Sequence, residues 1–178
     1  MRKLKAIFLD RDGVIVKSNV INGKPFAPTS LTDFRLLPNT SKNILLLKKY
    51  NFKVIVVTNQ PDVAKGALSL NTLNKMNDLL YSKAKIDLIS VCIHSDADNC
   101  KCRKPKNGLI LNAAKKYNID LKKSYLIGDR KKDIDAGVAS NCKTIFIDRN
   151  YKEDKPINYD YKVSSLQKAI FYILKRIR

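Results

Sequence analysis

Short apolar runs alternate with amphipathic stretches along the chain. The apolar runs at 5–9, 53–57, 88–93, 124–127 and 143–147 predict strands, and the stretches at 40–50, 71–83, 109–117, 133–140 and 165–177 have helical spacing. The run KVIVV at 53–57 is continuous, as expected of a strand that is buried on both faces of a sheet. The alternation predicts an α/β fold, a three-layer, Rossmann-like parallel sheet with helices on both faces.

Residues 17–34 are polar, and we expect them to form a loop long enough to be functional. We find no repeat or linker and expect residues 1–178 to form a single domain. The apolar face of the last helical stretch fits a protein core better than a membrane surface, since every α/β domain needs such faces. No apolar run approaches the roughly 20 residues that cross a bilayer, and the apolar stretch near the N-terminus is short. We therefore expect a cytoplasmic protein with no membrane partner.

The chain is strongly basic, with 35 Lys and Arg against 16 Asp and Glu and a net charge of +19. Nucleic acid is one partner that such a charge would suit. The lysines are spread along the whole chain, however, and basic composition alone is a weak signal. We expect the charge to attract small anionic ligands and do not expect nucleic acid as the partner. With no obvious apolar association surface, we expect a monomer.

The first predicted strand ends in Asp10-Arg11-Asp12-Gly13. Two carboxylates placed two residues apart beyond a strand can face one site. One of them could attack phosphorus, and the other could act first as general acid and then as general base. The alternative is an ordinary turn in which an Asp side chain ends a strand.

Three further polar segments follow strands or lead into helices. Thr58-Asn59-Gln60 offers a hydroxyl and amides for phosphoryl oxygens, and Lys104 could neutralise charge in a transition state. Asp129 could complete a Mg²⁺ site with Asp10, because carboxylate oxygens suit that ion. Asp133 could support this site from the following helix. Each segment alone also fits a solvated turn or a helix cap.

The order of the four segments resembles the haloacid dehalogenase-type (HAD) phosphohydrolase superfamily over about residues 4–148. Its four motifs match Asp10-x-Asp12-Gly13, Thr58, Lys104 and Gly128-Asp129-x-x-x-Asp133. The resemblance implies a phosphatase in which Asp10 forms an aspartyl-phosphate and Asp12 is the acid and base. Catalysis would rest on Asp10, Asp12, Thr58 and Lys104, and Mg²⁺ would be held by Asp10, Asp129 and the backbone carbonyl of Asp12. The segments between the motifs leave no room for a large cap domain.

Three of the four cysteines and the only histidine lie within 11 residues, as Cys92-x-His94-x5-Cys100-x-Cys102. Three thiolates and one imidazole suit a tetrahedral Zn²⁺, and a closed set of four ligands marks a structural site. The alternative is a chance cluster of reduced cysteines. This zinc-binding loop, residues 92–102, leads directly into Arg103 and Lys104, which it would hold at the mouth of the site. Cys142 has no such neighbours in sequence, and we interpret it as a small buried residue.

The cysteine pattern resembles the zinc-containing HAD branch that holds heptose-bisphosphate and histidinol-phosphate phosphatases. The stretches VTNQ at 57–60 and CRKP at 102–105 are similar to the heptose enzymes, while the short spacer before Cys100 is more similar to the histidinol-phosphate enzymes. The resemblance implies substrate contacts at Ser18, Asn19, Val20, Ile21, Thr58, Asn59, Gln60, Pro61, Arg103, Lys104 and Arg130. Pro61-Asp62 and the long loop after Lys17 depart from the heptose pattern in this region.

The leading hypothesis is therefore removal of the 7-phosphate of D-glycero-D-manno-heptose 1,7-bisphosphate, in the supply of heptose for lipopolysaccharide or capsule. Histidinol phosphate or another sugar phosphate is the second candidate. Processing or binding of nucleic-acid phosphate ends is a distant third, because the sequence shows no aromatic stacking platform.

Overall fold

The computed structural model describes residues 3–177 and is built around a six-stranded parallel sheet. The elements in chain order are β1 (Lys5–Leu9), β2 (Asn19–Ile21), β3 (Lys24–Phe26), α1 (Thr40–Lys49), β4 (Phe52–Asn59), α2 (Leu70–Ala84), β5 (Leu88–Cys92), α3 (Gly108–Tyr117), a short 3-10 turn (Leu121–Lys123), β6 (Tyr125–Gly128), α4 (Lys131–Ala139), β7 (Lys143–Ile147), β8 (Tyr161–Val163) and α5 (Leu166–Arg176). The strand order is β5-β4-β1-β6-β7-β8. The predicted α/β class and parallel sheet are confirmed.

Two apolar cores lie on opposite faces of the sheet. Because side chains alternate along a strand, β1 contributes Ile7 and Leu9 to one core and Ala6 and Phe8 to the other. Helices α1, α2 and α5 cover the first core, and α3 and α4 cover the second. Strand β4 is buried on both faces, as its continuous β-branched sequence predicts. The three-layer arrangement is thereby confirmed.

Two features differ from the sequence prediction. Strand β8 is a sixth strand, which pairs with β7 in parallel at the edge of the sheet. Within the expected loop at 17–34, β2 and β3 form an antiparallel hairpin whose turn is Asn22-Gly23. Both turn residues have positive φ, 52° and 82°, the geometry that Asn-Gly turns favour. This dipeptide was the signal in the sequence for a hairpin.

Among residues 3–177, no large cap domain covers the carboxyl ends of the strands, and the hairpin is the main insertion there. None of the helices in this range is both long enough and apolar enough to span a bilayer.

Candidate active site

The three polar segments at the carboxyl ends of β1, β4 and β6 meet where the chain changes direction in the sheet. From β1 the chain builds outward through β4 and β5, and it then returns to place β6 on the other side of β1. The carboxyl ends of β1, β4 and β6 therefore lie side by side, and they carry Asp10, Thr58 and Asp129. The backbone N–H of Asp10 donates to the carbonyl of Ile127 at 3.0 Å, which ties the first loop to β6. Ligands of open α/β sheets bind at such a point.

The fourth segment brings Lys104 into this centre from the long connection between β5 and α3. The ammonium is 2% exposed and contacts Asp10 Oδ1 at 2.5 Å, Asp133 Oδ1 at 2.6 Å and the carbonyl of Val57 at 2.7 Å. Burial alone would lower the pKa of Lys104, but the two carboxylates outweigh it and raise the pKa, so the side chain stays charged. The Asn59 amide bonds to the backbone N–H and carbonyl of Lys104 at 3.1 and 3.0 Å and fixes its position.

Asp10, Asp129 and Asp133 form a buried carboxylate cluster, with one oxygen of each within 4.8 Å of the others. Burial, together with repulsion from Asp133 and Asp12, raises the pKa of Asp10 to about 6 despite the attraction of Lys104. Burial and the charges of Asp10 and Asp133 raise the pKa of Asp129 well above its ordinary value. The Tyr151 hydroxyl faces Asp129 and favours its charged form, but it does not offset these effects on the pKa.

This cluster fits a divalent cation. When ionised, its three carboxylates face one ammonium and carry two excess negative charges, which one Mg²⁺ would neutralise. The donors are all hard oxygen atoms, the ligands that Mg²⁺ prefers. Gly13 leaves the space for Asp129: its φ is +86°, and a Cβ built there would lie 1.8 Å from Asp129 Oδ2. A side chain at position 13 would therefore displace a carboxylate of the cluster.

The side chain of Asp12 is not part of the carboxylate cluster and is held by two neighbours. Arg11 Nε lies 3.1 Å from both carboxylate oxygens, and the amide Nε2 of Gln60 donates to Oδ2 at 2.8 Å. Asp12 still lines the cavity beside Asp10. The expected metal contact of Asp12 involves only its backbone carbonyl, so this orientation of its side chain is compatible with that expectation.

A cavity of about 340 Å³ opens outward from the two aspartates. Its cationic lining residues are Lys24, Lys65, Arg103, Lys104, Arg130 and Lys132, and its acidic ones are Asp10, Asp12, Asp62, Asp96 and Glu153. Besides Lys104, two of the cations are already paired: Arg103 Nε lies 2.5 Å from Asp96, and Arg130 forms a two-pronged ion pair with Glu153 that includes a 2.8 Å bond from Nε. Pro25, Phe26, Ala27 and Pro61 supply the apolar part of the wall.

The structure places most expected substrate contacts on this cavity, but not all. Those on its lining are Ser18, Thr58, Asn59, Pro61, Arg103, Lys104 and Arg130. Asn19, Val20 and Ile21 form the outer strand of the hairpin and do not line the cavity, and Val20 and Ile21 are 56% and 57% exposed. Gln60 does not line it either, and its side chain is fully buried.

The hairpin accounts for the first of these corrections. Its second strand, β3, turns towards the cavity and brings Lys24 and Phe26 to the wall in place of the β2 residues. Lys65, Lys132 and Glu153 are further lining residues that sequence reasoning missed. Lys132 lies within the motif segment Gly128–Asp133, and no sequence signal pointed to Glu153, which reaches the site from the loop after β7.

The cysteine and histidine side chains come together beside this site. Among Cys92 Sγ, His94 Nδ1, Cys100 Sγ and Cys102 Sγ, the recorded separations run from 3.2 to 3.7 Å. A tetrahedral zinc with Zn–S bonds of about 2.3 Å would place its sulfur ligands about 3.8 Å apart, close to these values. All four cysteines of the chain are free, and buried Cys142 lies outside the cluster. The donor set therefore fits Zn²⁺.

Comparison with known proteins identifies the family. Residues 101–169 match the family model described as HAD-hydrolase-like. The chain is 33% identical to a D-glycero-alpha-D-manno-heptose-1,7-bisphosphate 7-phosphatase from Photorhabdus laumondii, over 98% of this chain and 97% of that protein. The chain belongs to this HAD-like phosphatase family.

Two other family members agree with this assignment. A D-glycero-beta-D-manno-heptose-1,7-bisphosphate 7-phosphatase from Helicobacter pylori is 34% identical over 78% of this chain and 80% of its own length. The crystal structure of a D,D-heptose 1,7-bisphosphate phosphatase from B. bronchiseptica, complexed with magnesium and phosphate, has a TM-score of 0.84 and 26% identity over 97% of this chain and 99% of its own. The HAD resemblance and the phosphatase class predicted from sequence are confirmed.

Proposed function

We propose that this HAD-like phosphatase removes the 7-phosphate of D-glycero-D-manno-heptose 1,7-bisphosphate. The observation that carries the proposal is the pairing of a buried nucleophile with a second carboxylate at the mouth of a cationic cavity. Asp10 is held by Lys104 within a carboxylate cluster that fits Mg²⁺, and Asp12 lines the same cavity. The substrate in this proposal is the one for which the relatives are named.

The chemistry follows from the positions of these side chains. A carboxylate oxygen of Asp10 forms a bond to phosphorus while the ester P–O bond breaks and its electron pair moves to the sugar oxygen. Asp12 gives that oxygen a proton. Asp12 then takes a proton from the water that attacks the aspartyl-phosphate, which releases inorganic phosphate and regenerates Asp10. Throughout, the positive charge of Lys104 stabilises the negative charge that develops on the phosphoryl oxygens, and the hydroxyl of Thr58 binds one of them.

Mg²⁺ would be held by Asp10, Asp129 and the backbone carbonyl of Asp12, and Asp133 would support it from α4. When bound, the ion neutralises negative charge between the enzyme and the phosphoryl group. Asp133 also accepts from the backbone N–H of Arg130 at 3.0 Å, so the start of α4 is fixed against the cluster.

The rest of the cavity suits a sugar that carries a second phosphate. Phe26 and Pro25 offer an apolar surface to a ring, and Arg103, Arg130 and Lys132 offer positive charge. Asn59, the last residue of β4, also lines the cavity. Ser18 and Pro61 complete the substrate contacts that we propose to retain from the sequence analysis.

We propose that Cys92, His94, Cys100 and Cys102 hold a structural Zn²⁺. The backbone N–H of Gln60 donates to the carbonyl of Cys92 at 2.7 Å, so this site is directly joined to the end of β4. Arg103 and Lys104 follow Cys102 without a spacer, and a rigid metal site would fix both of them at the cavity.

Histidinol phosphate is the second candidate, and the acidic lining supports it. This substrate has one phosphate and an ammonium group, for which Asp62 and Glu153 would be suitable partners. The two heptose relatives also differ in anomer, so the anomer has to be measured.

The test is phosphate release with Mg²⁺ on α- and β-heptose 1,7-bisphosphate, histidinol phosphate, fructose 1,6-bisphosphate and a 3′-phosphorylated oligonucleotide, with Asp10→Asn as the blank. A higher kcat/KM for one heptose anomer supports the proposal. A preference for histidinol phosphate or the oligonucleotide would replace it. We also propose a cytoplasmic monomer that does not bind nucleic acid, for which light scattering and a DNA shift at physiological salt are the assays.

A further inference from the structure

Gln60 is not among the residues that line the cavity. Its side chain is fully buried behind the cavity, and its amide Nε2 makes two hydrogen bonds, to Asp12 Oδ2 and to Thr58 Oγ1, each at 2.8 Å. A side-chain amide has two N–H donors, and both are used here. Gln60 therefore joins the proposed general acid to the proposed phosphate-binding hydroxyl.

The two oxygens of Asp12 are not equivalent in this arrangement. Arg11 Nε lies 3.1 Å from both of them, whereas Gln60 donates to Oδ2 alone. A carboxyl proton is disfavoured on an oxygen that already accepts two hydrogen bonds, so the proton of the acid form belongs on Oδ1. Oδ1 is then the atom that donates to the leaving oxygen.

The same amide also orients Thr58. Because Thr58 Oγ1 accepts from Gln60, the hydroxyl proton has to point in another direction. Thr58 lines the cavity, where a phosphoryl oxygen would accept that proton. One buried amide thus sets the direction of two groups that act at opposite ends of the same P–O bond.

We propose that Gln60 is a positioning residue that holds Asp12 Oδ1 towards the leaving oxygen and leaves the Thr58 hydroxyl free for the phosphoryl group. The inference rests on the proposed role of Asp12 as general acid. In that step the proton of Oδ1 moves to the sugar oxygen as this oxygen receives the electron pair of the broken P–O bond, and Asp10 forms the new bond to phosphorus.

The experiment compares two leaving groups in the Gln60→Met and Gln60→Glu variants. Met fills a similar volume without donors, and Glu keeps the shape but presents only acceptors when ionised. The substrates are the sugar phosphate that the wild type hydrolyses best and p-nitrophenyl phosphate, whose leaving group departs as a stable anion. For both substrates kcat/KM reports the steps up to the first P–O cleavage. Gln167→Met, at the chain's other glutamine, which is exposed on α5, is the matched control.

We expect the ratio of kcat/KM for the sugar phosphate over p-nitrophenyl phosphate to fall at least about tenfold in both Gln60 variants, since general acid catalysis contributes about 10² or more. The ratio should not change in Gln167→Met. Partial unfolding and a displaced Thr58 act on both substrates equally and cancel in the ratio. An unchanged ratio in both Gln60 variants would overturn the inference.

The outcome separates this inference from the proposed function. If the wild type prefers a substrate other than the heptose bisphosphate, the substrate proposal fails, and the ratio is measured with the preferred alkyl phosphate instead. If the wild type prefers the heptose bisphosphate and the ratio does not move, only the role of Gln60 fails.

Discussion

Crowding of carboxylates in the candidate metal site predicts how the stability of the Mg²⁺-free protein depends on pH. The pKa of Asp10 rises from its ordinary 3.8 to about 6, with burial as the main cause. The folded state therefore holds this proton more tightly than the unfolded state does. The contribution of Asp10 to stability is fully present below pH 3.8, and it is lost as the pH rises through about 6.

The magnitude follows from these two values. For a single group, the linkage relation makes the Mg²⁺-free fold less stable by about 3 kcal/mol at pH 7 than at low pH, and by about 1 kcal/mol at pH 7 than at pH 5. Asp129 adds to this loss, because its pKa is also raised and Asp10 is one of the causes. Asp10→Asn removes the charge while it keeps the shape of the side chain.

The assay is urea unfolding of the wild type and Asp10→Asn at pH 5, 6 and 7. Mg²⁺ is left out of the buffer rather than chelated, so that the cysteine site keeps its metal. We expect the wild type to lose about 1 kcal/mol or more relative to the variant between pH 5 and pH 7. Mg²⁺ at about 100 times its Kd should restore about 2.7 kcal/mol to the wild type and much less to the variant. Parallel pH curves for the two proteins would refute the reasoning.

Three further predictions concern the other charged and metal-binding groups. Lys104→Met should lower kcat by about 10²-fold or more and the free energy of unfolding at pH 7 by about 3 kcal/mol or more, because it leaves buried carboxylates unpaired. Phosphate release measures the first effect and urea unfolding the second. Cys100→Ser should lose its bound zinc and more than about 2 kcal/mol of its free energy of unfolding, whereas Cys142→Ala should keep its zinc. Elemental analysis and urea unfolding measure these effects. Equal zinc content in the two variants would contradict the prediction. Glu153→Gln should lower the KM for a bisphosphate roughly threefold to tenfold and leave the KM for a monophosphate unchanged. The reason is that the guanidinium of Arg130 would no longer be paired with the carboxylate of Glu153. A raised KM would mean that Glu153 orients Arg130 for the substrate.

The sheet could be predicted from sequence because its central strands are buried on both faces. Strand β1 has the predicted bounds, Lys5–Leu9, and β4 contains the predicted run at 53–57. The parallel topology places the polar residues directly after such strands at one edge of the sheet. For this reason Asp10, Thr58 and Asp129 could be expected together from the sequence alone.

What sequence reasoning missed depends on contacts between distant segments. Strand β8 has only three residues, too few for a periodic pattern, and it is a strand because β7 pairs with it. The hairpin is an exception, because its turn, Asn22-Gly23, is a local sequence signal that predicts a hairpin. The direction of Gln60 could not be predicted, because it is set by Asp12, 48 residues earlier in the chain. The position of Glu153 could not be predicted either, since only the fold of the loop after β7 brings it to Arg130.

The loop after β7 also explains how a site without a large cap is kept in shape. Arg149 Nε donates to the carbonyl of Gly13 at 2.9 Å, and the backbone N–H of Lys152 donates to the carbonyl of Gly23 at 2.8 Å. One short segment is thus bonded to the loop that carries the aspartates and to the turn of the hairpin. Because both bonds are accepted by backbone carbonyl groups, they fix the backbone of the cavity wall whichever side chains line it. Substrate selection then rests on the lining itself rather than on closure of a large domain.

The charge of the chain leads to the same conclusion about selection. The cavity uses only six of the 35 basic residues and sets five carboxylates against them, so it is far closer to neutrality than the chain as a whole. A net charge of +19 attracts any phosphorylated molecule at long range, and salt screens that attraction beyond about 8 Å. Discrimination between phosphates must therefore come from contacts inside the cavity, where Glu153 and Asp96 already compete for the two arginines. Under the proposed function, a second phosphate correctly spaced for Arg103 and Arg130 would replace those carboxylates, and we expect a simple monophosphate not to do so.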